Sequence, residues 1–420
     1  MRVGVPREVK TGETRVAMTP DGVRELVAHY QEVIVERGAG EGSALRDDDY
    51  AAAGAVLGST DDAWAADMVV KVKEPQADEL ARLRPGLTLF TYLHLAAYPD
   101  VGRALLDAGV TALAYETVQL ADGALPLLAP MSEVAGRMAT QIGAHYLERE
   151  NGGRGVLLGG APGVRPARVV VLGAGNVGWN AAWIAQGMEA EVLLLDKNLD
   201  RLRWVDQIHR GRIMTLASNR GAVERAVAEA DLVIGAVLVA GGRAPTVVTE
   251  AMVAAMKRGA VIVDVAVDQG GCVATTRETT HDDPIYVVHD VIHYAVGNMP
   301  GAVPYTSTYA LTNATLSYVL EVAEHGVAEA ARRDDALRHG VNAVGGRVTN
   351  PAVAEALGVD CVDPLTALDA DPVAQDEGRC RSRPRSSWRG WRCDAPPTPL
   401  PPTGATSAPT RRSSTSTTSR

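Results

Sequence analysis

Short apolar runs bounded by turn residues recur through the first 128 positions. MRVGVP, EVIVERG, MVVKVKEP, LTLFTYLHL and VTALAYETV read as strands, and PDGVRELVAHY, DDAWAADM and PDVGRALLDAG between them read as helices. Such alternation predicts a mostly parallel sheet covered by helices. A second set of βα units follows in ARVVVLGAGNVG, AEVLLLD, ADLVIGAVLV and AVIVDVAVD. Their short apolar cores predict strands buried on both faces. Between the two sets, APMSEVAGRMATQIGAHYLERE predicts a helix starting near Ser132, whose hydroxyl can accept an orphan backbone N–H. ALTNATLSYVLEVAEHGVAEA, residues 310–330, predicts a further helix.

After about residue 371 the pattern stops. Pro, Arg, Ser and Thr dominate, with nine arginines against four acidic residues over 371–420. This predicts a disordered tail that cannot bury enough apolar surface to offset its ordering entropy. Text of this composition is what GC-rich DNA encodes when read out of frame, so the tail is expected to lie outside the folded protein; the rival reading is a real basic tail that binds an acidic partner.

Composition narrows the function. The 420 residues are 46% hydrophobic and 22% charged, enough for two globular domains. A formal net charge of −10 argues against a global nucleic-acid footprint. No apolar run approaches the ~18 residues of a membrane span. The opening MRVGVPREV lacks an apolar signal core, so a cytoplasmic location is expected. Cys272, Cys361, Cys380 and Cys393 have neither metal spacing nor the density of a disulfide scaffold.

The strongest chemical motif is VVVLGAGNVG. Gly173, Gly175 and Gly178 form G-x-G-x-x-G between an apolar strand and a predicted helix. The first glycine permits a tight turn, the second lets the backbone approach a pyrophosphate, and the third lets helix and strand pack closely. A second strand ends in LLLD at Asp196, where an acid can accept hydrogen bonds from ribose hydroxyls and repel a 2′-phosphate. The rival reading is a glycine turn and an unrelated surface acid.

Several stretches together resemble the alanine dehydrogenase family: GVPREVKTGETRVAMTPDGV, VKVKEP, FTYLHLA, APMSEVAGRMA, LGAGNVGWNAA, VIVDVAVDQGGC and GNMPGAVPYTSTYALTNAT. They cover roughly residues 1–370 in family order. Tyr305 departs from the pattern, which has a basic residue after AVP. The resemblance implies an α/β protein of two Rossmann-like domains, with an NAD-binding domain (129–304) inserted into a discontinuous substrate domain (1–128 and 305–370). It implies reversible NAD-dependent oxidation of L-alanine to pyruvate and ammonium by a homohexamer. The same fold family includes the nucleotide-binding subunit of proton-translocating transhydrogenase and some saccharopine dehydrogenases. A transhydrogenase-like subunit and a catalytically inactive NAD-binding regulator are the competing readings.

The resemblance also assigns residues. Arg15 is the expected anchor for the substrate carboxylate, a role that suits a guanidinium fork; the bland alternative is a solvated arginine. Lys73 is expected to polarise the substrate carbonyl, against a snorkelling surface lysine, with Lys71 as a neighbour outside the chemistry. His94 and Asp268 are the expected acid/base pair. For His94 the rival is a satisfied core histidine, and Asp264 is the nearby acid more suited to structure. Expected cofactor contacts are Ser132, the loop of Gly173, Ala174, Gly175, Asn176, Val177 and Gly178, then Asp196, Arg201, Ser218, Val237, Leu238, Val265, Asp268, Arg277, Asn298 and Met299. Independently of the family, Glu321 and His325 stand four apart on a predicted helix. They are a candidate pair for a divalent cation such as magnesium, although a surface pair is the commoner outcome.

Overall fold

In the computed structural model, which describes residues 1–237 and 244–371, the five runs of the first apolar set form strands, and a short sixth, Val56–Gly58, not expected from the sequence, joins them. These are β1 (Arg2–Val5), β2 (Glu32–Glu36), β3 (Val56–Gly58), β4 (Met68–Val70), β5 (Thr88–Thr91) and β6 (Thr111–Ala114). The second set becomes β7 (Arg168–Leu172), β8 (Glu191–Asp196), β10 (Leu232–Gly235) and β11 (Val261–Asp264), with an unexpected β9 (Ile213–Ala217) after β8, followed by β12 (Ile285–Val288) and β13 (Val291–Tyr294). Two short strands close the fold, β14 (Val341–Val344) and β15 (Arg347–Val348).

One sheet runs β15-β14-β6-β5-β4-β1-β2-β3 and the other β12-β13-β11-β10-β7-β8-β9. The strands β1 to β6 pair in parallel, and β14 joins β6 antiparallel. The chain therefore leaves the first sheet, builds the second and returns. Both sheets are doubly wound, with order reversing between β1 and β4 in one and between β7 and β10 in the other. In open α/β sheets, ligands bind beyond the carboxyl ends of the strands at such reversals.

The returning element is the helix Pro304–Arg333, which bends at Gly326 (φ 74°). Its Leu311, Val319 and Val322 enter the same core as Val3 and Phe90 of the first sheet and Met18 of the loop after β1. Strands β7, β10 and β11 are buried almost throughout, as their unbroken apolar runs predict. The edge strand β9, IMTLA, is largely exposed.

The helix expected to start near Ser132 instead spans Ala129–Tyr146 and has Leu128 as its cap. Pro130 lies in its first turn, where a missing N–H costs nothing, and this moves the start forward. Ser132 lies within the helix and its backbone N–H donates to Leu128 O at 3.2 Å. Leu238 and the expected tail from residue 372 lie outside the described residues.

Candidate active site

The glycine loop links β7 to the helix Asn176–Gly187. Gly173 has φ 101°, and a Cβ there would sit 2.5 Å from Ala236 O. A Cβ on Gly178 would come within 1.7 Å of Gly173 O. Both positions therefore exclude a side chain. Gly175 differs: among the described residues, the only neighbour a Cβ would meet within 4 Å is Arg201 Nη1, at 3.9 Å. The loop thus leaves an open approach at its second glycine with a guanidinium beside it. Among the described residues, no side chain caps the helix that starts at Asn176, which leaves its first N–H groups available to an anion. Asp196 closes this corner, its Oδ2 accepting from Ala174 N at 2.5 Å and its Oδ1 from Asn198 N at 2.7 Å. Ser218 lies beside it and donates its backbone N–H to Asp196 O at 2.9 Å. This set of donors and its acid fit a dinucleotide.

The remaining expected cofactor residues are distributed around the second sheet. Val237 follows β10, and Val265 opens the 3₁₀ turn Val265–Gln269 after β11. Met299 is buried at the start of another such turn, and Asn298 precedes it with φ 57°. Arg277 is exposed and stacks on Tyr286, 4.1 Å from the ring centre.

Beyond β1, Arg15 is only 2% exposed, which excludes the solvated-arginine reading. Its Nε and Nη2 donate to the two oxygens of Glu13 at 2.7 and 2.5 Å. Nη2 also donates to Asn298 Oδ1 at 2.8 Å, across 283 residues of chain. Burial disfavours the Glu13 carboxylate, but its hydrogen bonds to Arg15 and the guanidinium charge outweigh this and hold its pKa at about 2. Lys73 follows β4, with its backbone carbonyl accepting from Thr91 Oγ1 at 2.9 Å. Burial, then the neighbouring Arg15, push its ammonium below the usual lysine range. It is not a snorkelling surface lysine. Lys71 is fully buried between Glu8 (3.2 Å) and Glu79 (2.7 Å). Glu8 Oε1 in turn accepts the backbone N–H of Val72 at 2.6 Å and of Lys73 at 3.4 Å, so this buried triad fixes the strand end that carries Lys73.

His94, after β5, adopts φ 48°, an uncommon conformation for a residue with a Cβ. The Glu116 carboxylate holds it there, accepting the backbone N–H of His94 at 2.5 Å and of Leu93 at 3.2 Å. The imidazole stacks parallel on Tyr92 and leaves Nδ1 3.8 Å from Glu116 Oε1. With its side chain 40% exposed, it is not a core histidine. Asp268 is exposed in the turn after β11, and its Oδ1 would lie 3.2 Å from a Cβ on Gly297, next to Asn298. Asp264 is buried and accepts from the backbones of Ala266, Cys272 and Val273 and from the Thr276 hydroxyl. It is a structural hub, as expected.

Sequence reasoning missed Glu8, Glu13 and Glu116. Each is an acid a short distance from a basic residue or an apolar run, a pattern too common to single out. Their buried partners alone reveal them.

Glu321 and His325 share a helix face, with Nε2 3.7 Å from Oε1. Arg333 lies 3.3 Å from the same Glu321 oxygen and already supplies its positive charge. Among the described residues, no group of three or more His, Cys, Asp or Glu is placed to hold a metal ion. This donor set does not fit a divalent cation, and the expectation of magnesium is corrected to a surface ion-pair network.

Family models for the alanine dehydrogenase/PNT N-terminal and C-terminal domains match residues 4–135 and 139–351. An alanine dehydrogenase of Mycobacterium tuberculosis is 57% identical over 370 residues, covering 88% of this chain and 100% of that protein. One from Bacillus subtilis is 54% identical over 378 residues, covering 89% and 100%. A solved L-alanine dehydrogenase superposes with a TM-score of 0.83 at 50% identity, covering 85% of this chain and 99% of its own. A transhydrogenase from Sinorhizobium meliloti gives a TM-score of 0.73 at 26% identity, covering 84% and 100%. By sequence and by fold, this chain belongs to the alanine dehydrogenase/PNT family, on the side of the alanine dehydrogenases.

Proposed function

We infer that the chain converts L-alanine, NAD⁺ and water into pyruvate, ammonium, NADH and a proton, reversibly. The observation that carries this reading is the pairing of two cations, the buried Arg15 and the partly buried Lys73, beyond the carboxyl ends of β1 and β4. Two positive charges are held together there at an electrostatic cost, which suits a small carboxylate bearing a reactive carbon.

Residues Gly173 to Gly178, Asp196, Arg201 and Ser218 would hold NAD along the second sheet, with Ser132, Val237, Leu238, Val265, Asp268, Arg277, Asn298 and Met299 assigned to it by family likeness. Bound NAD supplies an acceptor for the hydride that leaves the alanine Cα. Arg15 anchors the substrate carboxylate. Lys73 donates to the oxygen that becomes the ketone of pyruvate and stabilises its developing charge. His94 and Asp268 share the two proton transfers, one from the attacking water and one to the departing amine. Glu116 keeps His94 in place from behind.

The division of labour follows the chain, with 1–128 and 305–370 as the substrate domain and 129–304 as the nucleotide domain. A homohexamer in the cytoplasm is the assembly and location that family likeness favours. None of the helices among the described residues is long and apolar enough to cross a membrane.

The test is the reverse reaction. NADH oxidation by the full chain should require pyruvate and ammonium together. Hydride exchange between nucleotides without either would favour the transhydrogenase reading. NADH binding with no turnover would favour a regulator.

A further inference from the structure

The Arg15 fork is already half used. Glu13 takes its side edge, Nε and Nη2, and also the Arg15 backbone N–H at 3.0 Å. The Glu13 side chain is completely buried. Asn298, on the loop after β13, donates from Nδ2 to Glu13 Oε2 at 3.0 Å while its Oδ1 accepts from Arg15 Nη2. Glu13, Arg15 and Asn298 thus close a ring of hydrogen bonds between a loop of the first sheet and a loop of the second. Among the described residues, the remaining nitrogen, Nη1, has only the thioether of Met131 as a hydrogen-bond partner, at 2.9 Å. A thioether is a weak acceptor that a carboxylate oxygen readily displaces.

We propose that Glu13 is a positioning residue for the reaction: with Asn298 it holds Nε and Nη2 of Arg15 so that Nη1 is presented to the substrate carboxylate, and through Asn298 it ties this anchor to the nucleotide side of the site. The proposal rests on reading Arg15 as the carboxylate anchor.

A second consequence is electrostatic. The charged groups acting on Lys73 are Arg15 and Lys10, which push its proton off, and Glu13 and Glu74, which hold it on. Without the Glu13 charge, Glu74 alone offsets two cations, and Lys73 deprotonates at lower pH.

Two variants of the full chain separate geometry from charge. Glu13→Gln keeps the shape and one acceptor oxygen but removes the charge. It should raise the KM for L-alanine at least about tenfold, the scale of one charge-assisted hydrogen bond. It should also move the alkaline limb of kcat/KM to lower pH and leave the Kd for NAD⁺ within about twofold. Glu13→Asp keeps the charge but is too short to span Nε and Nη2. It should raise KM without moving the alkaline limb, and it remains informative if the Gln variant does not fold. An unchanged KM in whichever variant folds overturns the proposal, as does an unmoved alkaline limb in Glu13→Gln. If the wild-type chain does not oxidise alanine, the functional reading fails instead, and the two failures are distinct.

Discussion

The Asp196 carboxylate, at the end of β8, accepts the backbone N–H of Ala174 in the glycine turn at 2.5 Å. The acid expected to read the ribose is thus also the brace of the loop expected to hold the pyrophosphate. Its second oxygen is fixed by Asn198 N, so the carboxylate cannot swing away from an incoming 2′-phosphate. Wild-type chain should therefore prefer NAD⁺ over NADP⁺ by at least about tenfold in kcat/KM. Asp196→Ala should narrow that ratio while weakening both cofactors, because the turn loosens. Equal use of the two cofactors by the wild type would contradict the assignment.

Lys71 and Lys73 stand two residues apart and should fail in different ways. Lys71→Ala strands the buried Glu8 and Glu79 carboxylates, and removing one partner of a buried ion pair costs about 3–5 kcal/mol. Its melting temperature should drop sharply. Lys73→Ala should melt close to the wild type yet lose at least about 10²-fold in turnover. Thermal melts and steady-state rates on the same preparations distinguish the two effects.

A similar division applies to the acids after β11 and to the histidine. Asp268→Ala and His94→Ala should each lower turnover at least about 10²-fold, with NAD⁺ affinity retained in His94→Ala. Asp264→Asn turns an acceptor oxygen into a donor amide facing the N–H groups of Ala266, Cys272 and Val273. Its loss should appear in folding yield before it appears in turnover. Near-wild-type turnover in His94→Ala would return His94 to a structural role.

The Glu13–Arg15 pair predicts a pH dependence of stability. Glu13 has its folded pKa depressed from 4.5 to about 2. A depressed acid contributes stability that is complete above its unfolded pKa and is lost as pH falls through the folded value. The pair's contribution, on the order of 3 kcal/mol, is present above pH ~4.5 and fades between there and pH ~2. In chemical unfolding across this window, Glu13→Gln should show a shallower acid slope than the wild type. Parallel slopes would contradict the depressed pKa.

Much of this fold was legible because its central strands are short, apolar and buried. The elements that escaped notice are the polar or very short ones. β9 is an exposed edge, and β3, β14 and β15 are two to four residues long. The sequence could propose Gly173, Arg15, Lys73 and His94 for the site because each stands in a stretch that resembles the family. The site was not legible where function depends on a partner far along the chain. Glu13 gains its meaning from Arg15 beside it and from Asn298, 285 residues away. Glu116 gains its meaning from the strained backbone of His94, 22 residues before it. Local pattern carries no trace of either relationship. The Glu321–His325 spacing shows the converse, since a pattern suited to a metal was satisfied by Arg333 instead.

The central claim is that the buried Arg15 and the partly buried Lys73 hold a small amino acid for oxidation by NAD⁺, and its most direct test is product stoichiometry. Purified full chain would be incubated with L-alanine and NAD⁺, and NADH, pyruvate and ammonium would be quantified in the same reaction. The account predicts that all three appear in equal amounts, that D-alanine gives far less, and that Lys73→Ala abolishes the signal while still binding NAD⁺. NADH formation without matching pyruvate and ammonium, or full activity in Lys73→Ala, would contradict it.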